Sequence, residues 1–242
     1  MTNIKVLIAA AGLGSRSGLS YPKTLFPVKG KPILIRLLEL LKHIDTQPTV
    51  IVSPSGYDSV MNCLERNKFS AYLVIQPEPL GMGDAVLRFR NSPAFRNSEH
   101  ILLVWGDIPF IQQQTVAALI EAHEENNNDF SLVTREVDAA YTLVKRDTKG
   151  EVKGVDETRE TTITTPHSGE RDMGLFLFRK EQIFNLLAQN LVGKCGQTTG
   201  EHGFLYIIQH LVSQGFKVQG LPIATELDIV SLNTLNDLKS LI

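Results

Sequence analysis

Cysteine is scarce in these 242 residues. Cys63 and Cys195 stand far apart, in neither metal-ligand nor redox spacing, which leaves both as reduced, structural or incidental thiols. Excess charge is missing too: 24 Lys and Arg against 26 Asp and Glu leave a net charge of −2, which argues against a nucleic-acid binder relying on bulk electrostatics. No apolar run reaches membrane-spanning length, and the chain opens directly into a strand pattern without a basic leader and cleavage site. The expectation is a soluble cytoplasmic protein with no membrane and no nucleic-acid partner. There is no Gly-Lys-Ser/Thr for a P-loop and no Gly-x-Ser-x-Gly elbow. Neither cysteine sits in a glycine-framed turn, and none of the histidines has metal spacing, so hydrolysis by a nucleophilic side chain is disfavoured. No internal repeat or low-complexity tract interrupts the chain.

What is present is an alternation. Ile4 to Ala10 is an apolar, β-branched run of strand length. After a glycine-bearing loop, Lys31-Pro32 opens a helix whose Ile33, Leu34, Leu37, Leu38, Leu41 and Ile44 recur at helical spacing. Strands at 49–53, 71–75, 101–105 and 130–134 then alternate with helices at 57–67, 83–90 and 112–125, predicting a largely parallel, helix-covered sheet. From Tyr141 the rhythm changes. Residues 141–146 and 151–155 flank Thr148-Lys149-Gly150 as a hairpin, a β-rich insertion, and the Thr-rich stretch 158–170 reads as a surface loop. A strand at 175–178, a helix at 181–189, a glycine-rich link at 193–200, a helix at 201–213, a strand at 217–222 and a last helix from Leu235 complete the expectation. One domain over 1–242 follows, with a first part at 1–135 and a second at 136–242 that carries the insertion.

In a parallel sheet, ligands bind beyond the carboxyl ends of the strands, so the segments that follow strands carry the most weight. The first runs from Ala10 and Ala11 through Gly12, Gly14, Ser15 and Arg16 to Pro22-Lys23. Gly12 and Gly14 allow successive N–H groups to converge on an anion, while Arg16 and Lys23 supply mobile positive charge. The dinucleotide fingerprint fails there, with Ser17 at the third glycine position and no acid ending the next strand, so an ordinary strand-to-helix turn stays open beside a phosphate cradle. Gln76 to Gly83 could offer a side-chain amide and a glycine backbone to a nucleobase, or could only shape a surface turn. Asp107, between Gly106 and Pro109, is a carboxylate held rigidly at a strand end, suited either to Mg²⁺ or to a turn aspartate's own backbone bonds. In the fourth segment, Asp228 to Asn233, the final Asn233 reads equally as a helix cap or a metal ligand. Glu157, beside Asp156 and Arg159, reads first as part of a solvated charge cluster.

Taken in order, these residues resemble the nucleotide-diphospho-sugar transferase superfamily, in particular the uridylyltransferase domain of the bifunctional enzyme that makes UDP-N-acetylglucosamine. The resemblance rests on Ala10-Ala11-Gly12-Leu13-Gly14-Ser15-Arg16 with Pro22-Lys23, on Leu25-x-Pro27-Val28-x-Gly30-Lys31-Pro32, on Gln76 to Gly83, on Trp105-Gly106-Asp107-Ile108-Pro109, on Val155-x-Glu157-x-Arg159 and on Gly200-Glu201. It implies a Rossmann-like three-layer α/β/α fold and transfer of a nucleotidyl group from a nucleoside triphosphate to a sugar 1-phosphate, with Mg²⁺ as cofactor. Carried across, it implies that Ala10, Ala11, Gly12, Gly14 and Ser15 approach the triphosphate, that Arg16 and Lys23 are catalytic cations, and that Gln76, Gly81 and Met82 meet the base. Asp107 and Asn233, with Asp228 as the substitute for the latter, would hold Mg²⁺, and Glu157, Asp172 and Thr142 would face the sugar. Met82, Thr142 and Asp172 depart from the family's threonine, glycine and asparagine, so the resemblance supports nucleotidyl transfer better than it supports an N-acetylated sugar. Small-molecule substrates are its expected partners, and it leaves oligomeric state open. A cytidylyl- or molybdopterin guanylyltransferase, or a non-catalytic nucleotide-binding module, remain the alternatives. No acetyltransferase repeats occur in these residues, and acetyl transfer is not expected.

Overall fold

The strand expected at the start forms as β1 (Ile4–Ala9), and its alternation sets the layering of the molecule. Val6 and Ile8 point into one apolar cluster and Leu7 into another, because successive side chains of a strand leave on opposite faces. The computed structural model describes residues 3–12, 18–160 and 167–232. Gly14, Ser15, Arg16, Asn233, residues 161–166 of the expected loop and the expected last helix lie outside the described residues.

After a short helical turn at Lys23–Leu25, β2 (Pro27–Val28) and β3 (Lys31–Pro32) pair across Lys29-Gly30, both with positive φ. The alternation then continues through α1 (Ile33–Leu41), β4 (Thr49–Val52), α2 (Tyr57–Arg66), β5 (Tyr72–Ile75), α3 (Met82–Arg88), β6 (His100–Trp105), α4 (Gln113–Glu125) and β7 (Phe130–Ala140). β8 (Thr142–Arg146) and β9 (Val152–Glu157) make the hairpin, and β10 (His167–Arg179), α5 (Lys180–Ala188), α6 (Ile207–Ser213) and β11 (Val218–Leu221) follow.

Seven strands form one sheet in the order β11-β7-β10-β6-β1-β4-β5. All its pairings are parallel except those of β10, which runs against both β6 and β7. The hairpin explains that exception. The chain leaves β7 at its carboxyl end and returns from the hairpin at the same end, so the next strand must run backwards. One face of the sheet packs on Leu34, Leu37, Val116 and Leu119 of α1 and α4, the other on Val86, Phe184, Ile207 and Leu211 of α3, α5 and α6. This is the three-layer, mostly parallel architecture expected, with β8–β9 as a separate two-stranded insertion. No helix among the described residues is long and apolar enough to cross a membrane.

Two expectations need correction. Residues His167 to Glu170 are strand rather than loop, pairing with Ala140, Val137 and Glu136 of β7. Glu170 is anchored there by Arg146, at 2.6 Å from both Nε and Nη2, so polar cross-strand partners stand where apolar alternation would have announced a strand. The helix expected from Glu201 starts only at Ile207, because the backbone at His202 is committed elsewhere: its N–H donates to Leu80 O at 2.7 Å and its carbonyl accepts from Gly83 N at 2.9 Å.

Candidate active site

Since β1, β4, β5, β6 and β7 run the same way, their following segments meet along one edge of the sheet. Backbone bonds draw two of these segments close, Ala10 N donating to Ile51 O and Gly106 N to Ala9 O, each at 2.9 Å. Gly106 makes the second approach possible, because a Cβ there would lie 2.9 Å from Ala9 O and 3.0 Å from the Ala10 methyl. Asp107 is thereby set beside the opening loop.

Lys23 arrives from the other side. Its Nζ donates to Asp107 Oδ2 at 3.0 Å and to the carbonyl of Leu232 at 2.9 Å, and Leu232 N donates in turn to Asp107 O. The two side chains are 17% and 19% exposed, so the ion pair sits at the mouth of the edge and in reach of a ligand. Three segments far apart in sequence, at Lys23, Asp107 and Leu232, thus close on one point. Asp228 has another task. It is fully buried and accepts from Gln112 N at Oδ1 and from Thr115 Oγ1 and the N–H and hydroxyl of Thr225 at Oδ2, at 2.7 to 2.9 Å, which fastens the start of α4 to the chain's later loop.

On the β5 side, Gln76 is nearly buried and its Nε2 donates to Gly81 O at 3.0 Å and to Asp84 Oδ2 at 2.9 Å. Both partners are acceptors, so the amide's orientation is fixed by its neighbours and Oε1 is turned the other way. Gly81 has φ +100° and sits so close to the 201–203 segment that a Cβ would fall 2.5 Å from His202 O. Met82 begins α3 and packs partly against the core under it.

A model of the MobA-like NTP transferase domain matches residues 6–194. The chain belongs to that family. The transferase domain is 27% identical over 237 residues to the bifunctional protein GlmU of Thermodesulfovibrio yellowstonii, covering 96% of this chain and 50% of that protein. It is also 28% identical over 226 residues to GlmU of Enterococcus faecalis, covering 93% and 48%. The chain therefore spans about half the length of the curated relatives it matches. A crystal structure from Bacillus anthracis, bearing the name of a glucose-1-phosphate thymidylyltransferase and containing sucrose, shares the fold with a TM-score of 0.77, 16% identity and coverage of 98% of this chain and 93% of that one.

In this transferase domain the residues expected to face a sugar divide into two groups. Thr142 Oγ1 donates to Asp172 Oδ2 at 2.7 Å, and Gly174 N donates to the other oxygen at 2.9 Å. Both side chains are shut off from solvent, and burial pushes the Asp172 carboxyl above its usual range. Glu157, the register partner of Thr142, instead lines a cleft of about 230 Å³ with Arg159, Glu160, Gln197, Glu201 and Tyr206. Burial raises its carboxyl as well, against the pull of Arg159, whose Nε lies 3.0 Å away.

Sequence reasoning missed two residues here. β10 runs past the last pairing of Leu175 with Val104 of β6, which carries Asp172 and Arg171 out over the carboxyl edge. There the Arg171 guanidinium lies 3.9 Å from the centroid of the Tyr141 ring and donates from Nη2 to the Tyr141 hydroxyl, which also bonds Ser231. Burial first, then the nearby Asp172 and Asp107 charges, raise the Tyr141 phenol well above its usual range. Neither residue belongs to a local motif; only the register of β7, β8 and β10 brings them to the edge.

Proposed function

We propose that the domain joins a nucleoside triphosphate, with UTP as the preferred one, to a sugar 1-phosphate, forming a nucleotide sugar and pyrophosphate. The observation that carries this reading is the convergence of Lys23, Asp107 and Leu232 at the carboxyl edge of the sheet, within a family of NTP transferases. An oxygen of the acceptor's phosphate attacks the α-phosphorus in line, the new P–O bond forms as the bond to the β-phosphate bridge breaks, and pyrophosphate leaves with the electron pair. The nucleophile is already ionised near neutral pH, so no general base is needed and rate comes from placement and charge neutralisation. Lys23, and Arg16 in the glycine turn, are the side chains assigned to the phosphate charge.

Mg²⁺ fits this site as a visitor rather than a resident. Among the described residues no three His, Cys, Asp or Glu side chains converge, and magnesium bound to nucleotides characteristically takes one or two carboxylates plus substrate phosphates and water. Asp107 would hold it, with Asn233, the residue after Leu232, as the proposed second ligand. When bound, it would supply positive charge to the α-phosphate and the leaving group.

The fixed amide of Gln76 supports a base preference. With Nε2 committed to Gly81 and Asp84, Oε1 is the atom left to meet a base, and it can only accept. Uracil and thymine offer such an acceptor a ring N3–H and guanine an N1–H, whereas cytosine and adenine, whose N3 and N1 are themselves acceptors, could meet it only through an exocyclic amino group. The test is pyrophosphate release from five triphosphates (UTP, TTP, GTP, CTP and ATP) against a set of sugar 1-phosphates with Mg²⁺. Strongest release with UTP is expected; preference for CTP or ATP would overturn the base assignment, and silence throughout would overturn the acceptor class.

A further inference from the structure

We propose that Arg171 is the cation that receives the phosphate group of the acceptor, making it a binding and specificity-determining residue of the proposed transfer, on which this inference rests. Arg171 is the one Lys or Arg side chain buried among the described residues, at 8% exposure, and it joins none of their ion pairs. Of the residues outside that set, Asp237 alone is acidic. Two of its N–H groups meet neutral acceptors, the Asp172 carbonyl at 3.1 Å and the Tyr141 hydroxyl. A guanidinium has five donors in a planar fork that matches phosphate two at a time.

Its surroundings are those of a cation held ready for a ligand. The residue directly across the sheet, in register and on the same face, is Arg135, and like charges in that position repel. Arg135 is drawn aside to Ala224 O at 2.8 Å and to Glu226 at 3.5 Å, while Arg171 stays. The nearest acid along its own strand, Asp172, has its oxygens taken by Thr142 and Gly174, so it lends its field and no direct bond. A structural arginine so deeply placed would be expected to have a carboxylate partner, since an unpaired buried charge is costly. Tyr141 instead fixes the plane of the guanidinium by stacking and is itself held by Ser231.

The location matches the need. Tyr141 ties Arg171 to Ser231, and Lys23 is bound to the very next residue, Leu232, so the two cations flank one short segment beside Asp107. Lys23 is committed to the Asp107 corner. An anionic acceptor brought up to an anionic α-phosphate needs a cation of its own; Arg135 is paired with Glu226 and Arg159 with Glu157, Glu160 and Glu201, which leaves Arg171 as the arginine of this region outside those ion pairs.

Because the acceptor is unidentified, the test uses inorganic phosphate, glucose 1-phosphate, glucose and UTP as probes. Thermal melts of the full chain are titrated with each, with and without a non-hydrolysable nucleoside triphosphate. Parent, Arg171→Met and Arg171→Lys are compared. Inorganic phosphate and glucose 1-phosphate should stabilise the parent where glucose does not. Arg171→Met should weaken that response by about tenfold or more in apparent Kd, and Arg171→Lys by roughly three- to tenfold, with the UTP response within about twofold of the parent. Arg171→Met gives up two hydrogen bonds and the stack on Tyr141, so it should melt somewhat below the parent; if it fails to fold, Arg171→Lys carries the binding test, and a parental phosphate response in that variant would overturn the inference. An unchanged phosphate response in the variants, no phosphate response in the parent, or a parallel loss of the UTP response would equally overturn it. Phosphate binding that depends on Arg171 without any pyrophosphate release would sink the transfer reading alone. Pyrophosphate release with an unchanged acceptor KM in Arg171→Met would sink this inference alone.

Discussion

Lys23 and Asp107 are both small investments of sequence with large geometric effect. One follows a proline that starts a helical turn, the other a glycine that no other residue could replace without pushing on Ala9 and Ala10. The pair is more than four-fifths buried and Lys23 also holds the Leu232 carbonyl, so truncating either side chain carries a stability cost as well as a catalytic one. Lys23→Ala and Asp107→Ala should melt below the parent yet fold, while the turnover of the folded protein falls by about two to three orders of magnitude, the cost of a lost charge contact on the transferring phosphate. Pyrophosphate release beside a thermal melt checks both halves; a variant that keeps parental turnover would remove it from the proposed chemistry. Asp228 is the opposite kind of acid, with four hydrogen bonds and no exposure, and its substitution belongs with stability.

At the scale of elements, the turn before α3 and the segment before α6 behave as one piece. His202 bonds through its backbone to Leu80 and Gly83, and a Cβ on Gly83 would lie 2.1 Å from Gly203 O, a backbone atom that cannot step aside. Gly83→Ala should cost about 2 kcal/mol or more of unfolding free energy, as other overpacking changes do, and should also weaken nucleotide binding by displacing Gly81 and Gln76. Denaturant titration and a nucleotide-induced melting shift measure the two effects, and a variant as stable as the parent would refute the contact. This coupling also marks where reading from sequence stopped. The Gly106-Asp107 corner and the β8–β9 hairpin were legible because glycine, proline and short apolar runs act locally. The truncated helix at 201–206 was not, since helical propensity was overridden by two backbone bonds to a loop some 120 residues earlier. Arg171 and Tyr141 were invisible for a similar reason: cross-strand register, not spacing, sets one on the other.

Across the whole molecule, one buried polar chain runs from the start of β6 through α4 to β7. His100 Nδ1 and His123 Nε2 are 2.9 Å apart, and His123 Nδ1 is 2.8 Å from Ser131 Oγ, which accepts from Asn128. Each link needs one donor and one acceptor, which two neutral rings and a rotatable hydroxyl supply, whereas protons on both rings would set two N–H donors face to face. Burial first, then His100 and Arg179, lower His123 to about 3, with Glu124 opposing, and burial lowers His100 too. The unfolded imidazole takes up its proton near pH 6.5, the folded one far below. The stability from this chain is therefore complete above pH 6.5 and is lost as pH falls from there toward 3. Between pH 7 and pH 5, His123 alone should account for about 2 kcal/mol of lost stability. Urea titrations at the two pH values should show that much shallower a loss in His123→Gln, and equal losses in parent and variant would rule the chain out as the cause.

Under the proposed function, the contact between Lys23 and Asp107 makes the edge of the sheet an ion exchanger. A carboxylate cannot be left bare next to a polyphosphate, so the ammonium can move from Asp107 to the nucleotide only when another cation takes over the aspartate. Nucleotide and divalent cation should then raise each other's affinity by one and the same factor, as linkage requires. UTP Kd measured in EDTA and across a magnesium series would read that factor in the parent. In Asp107→Asn, where the aspartate's charge is gone, it should shrink toward one, and UTP should bind in EDTA at least as tightly as it does to the parent.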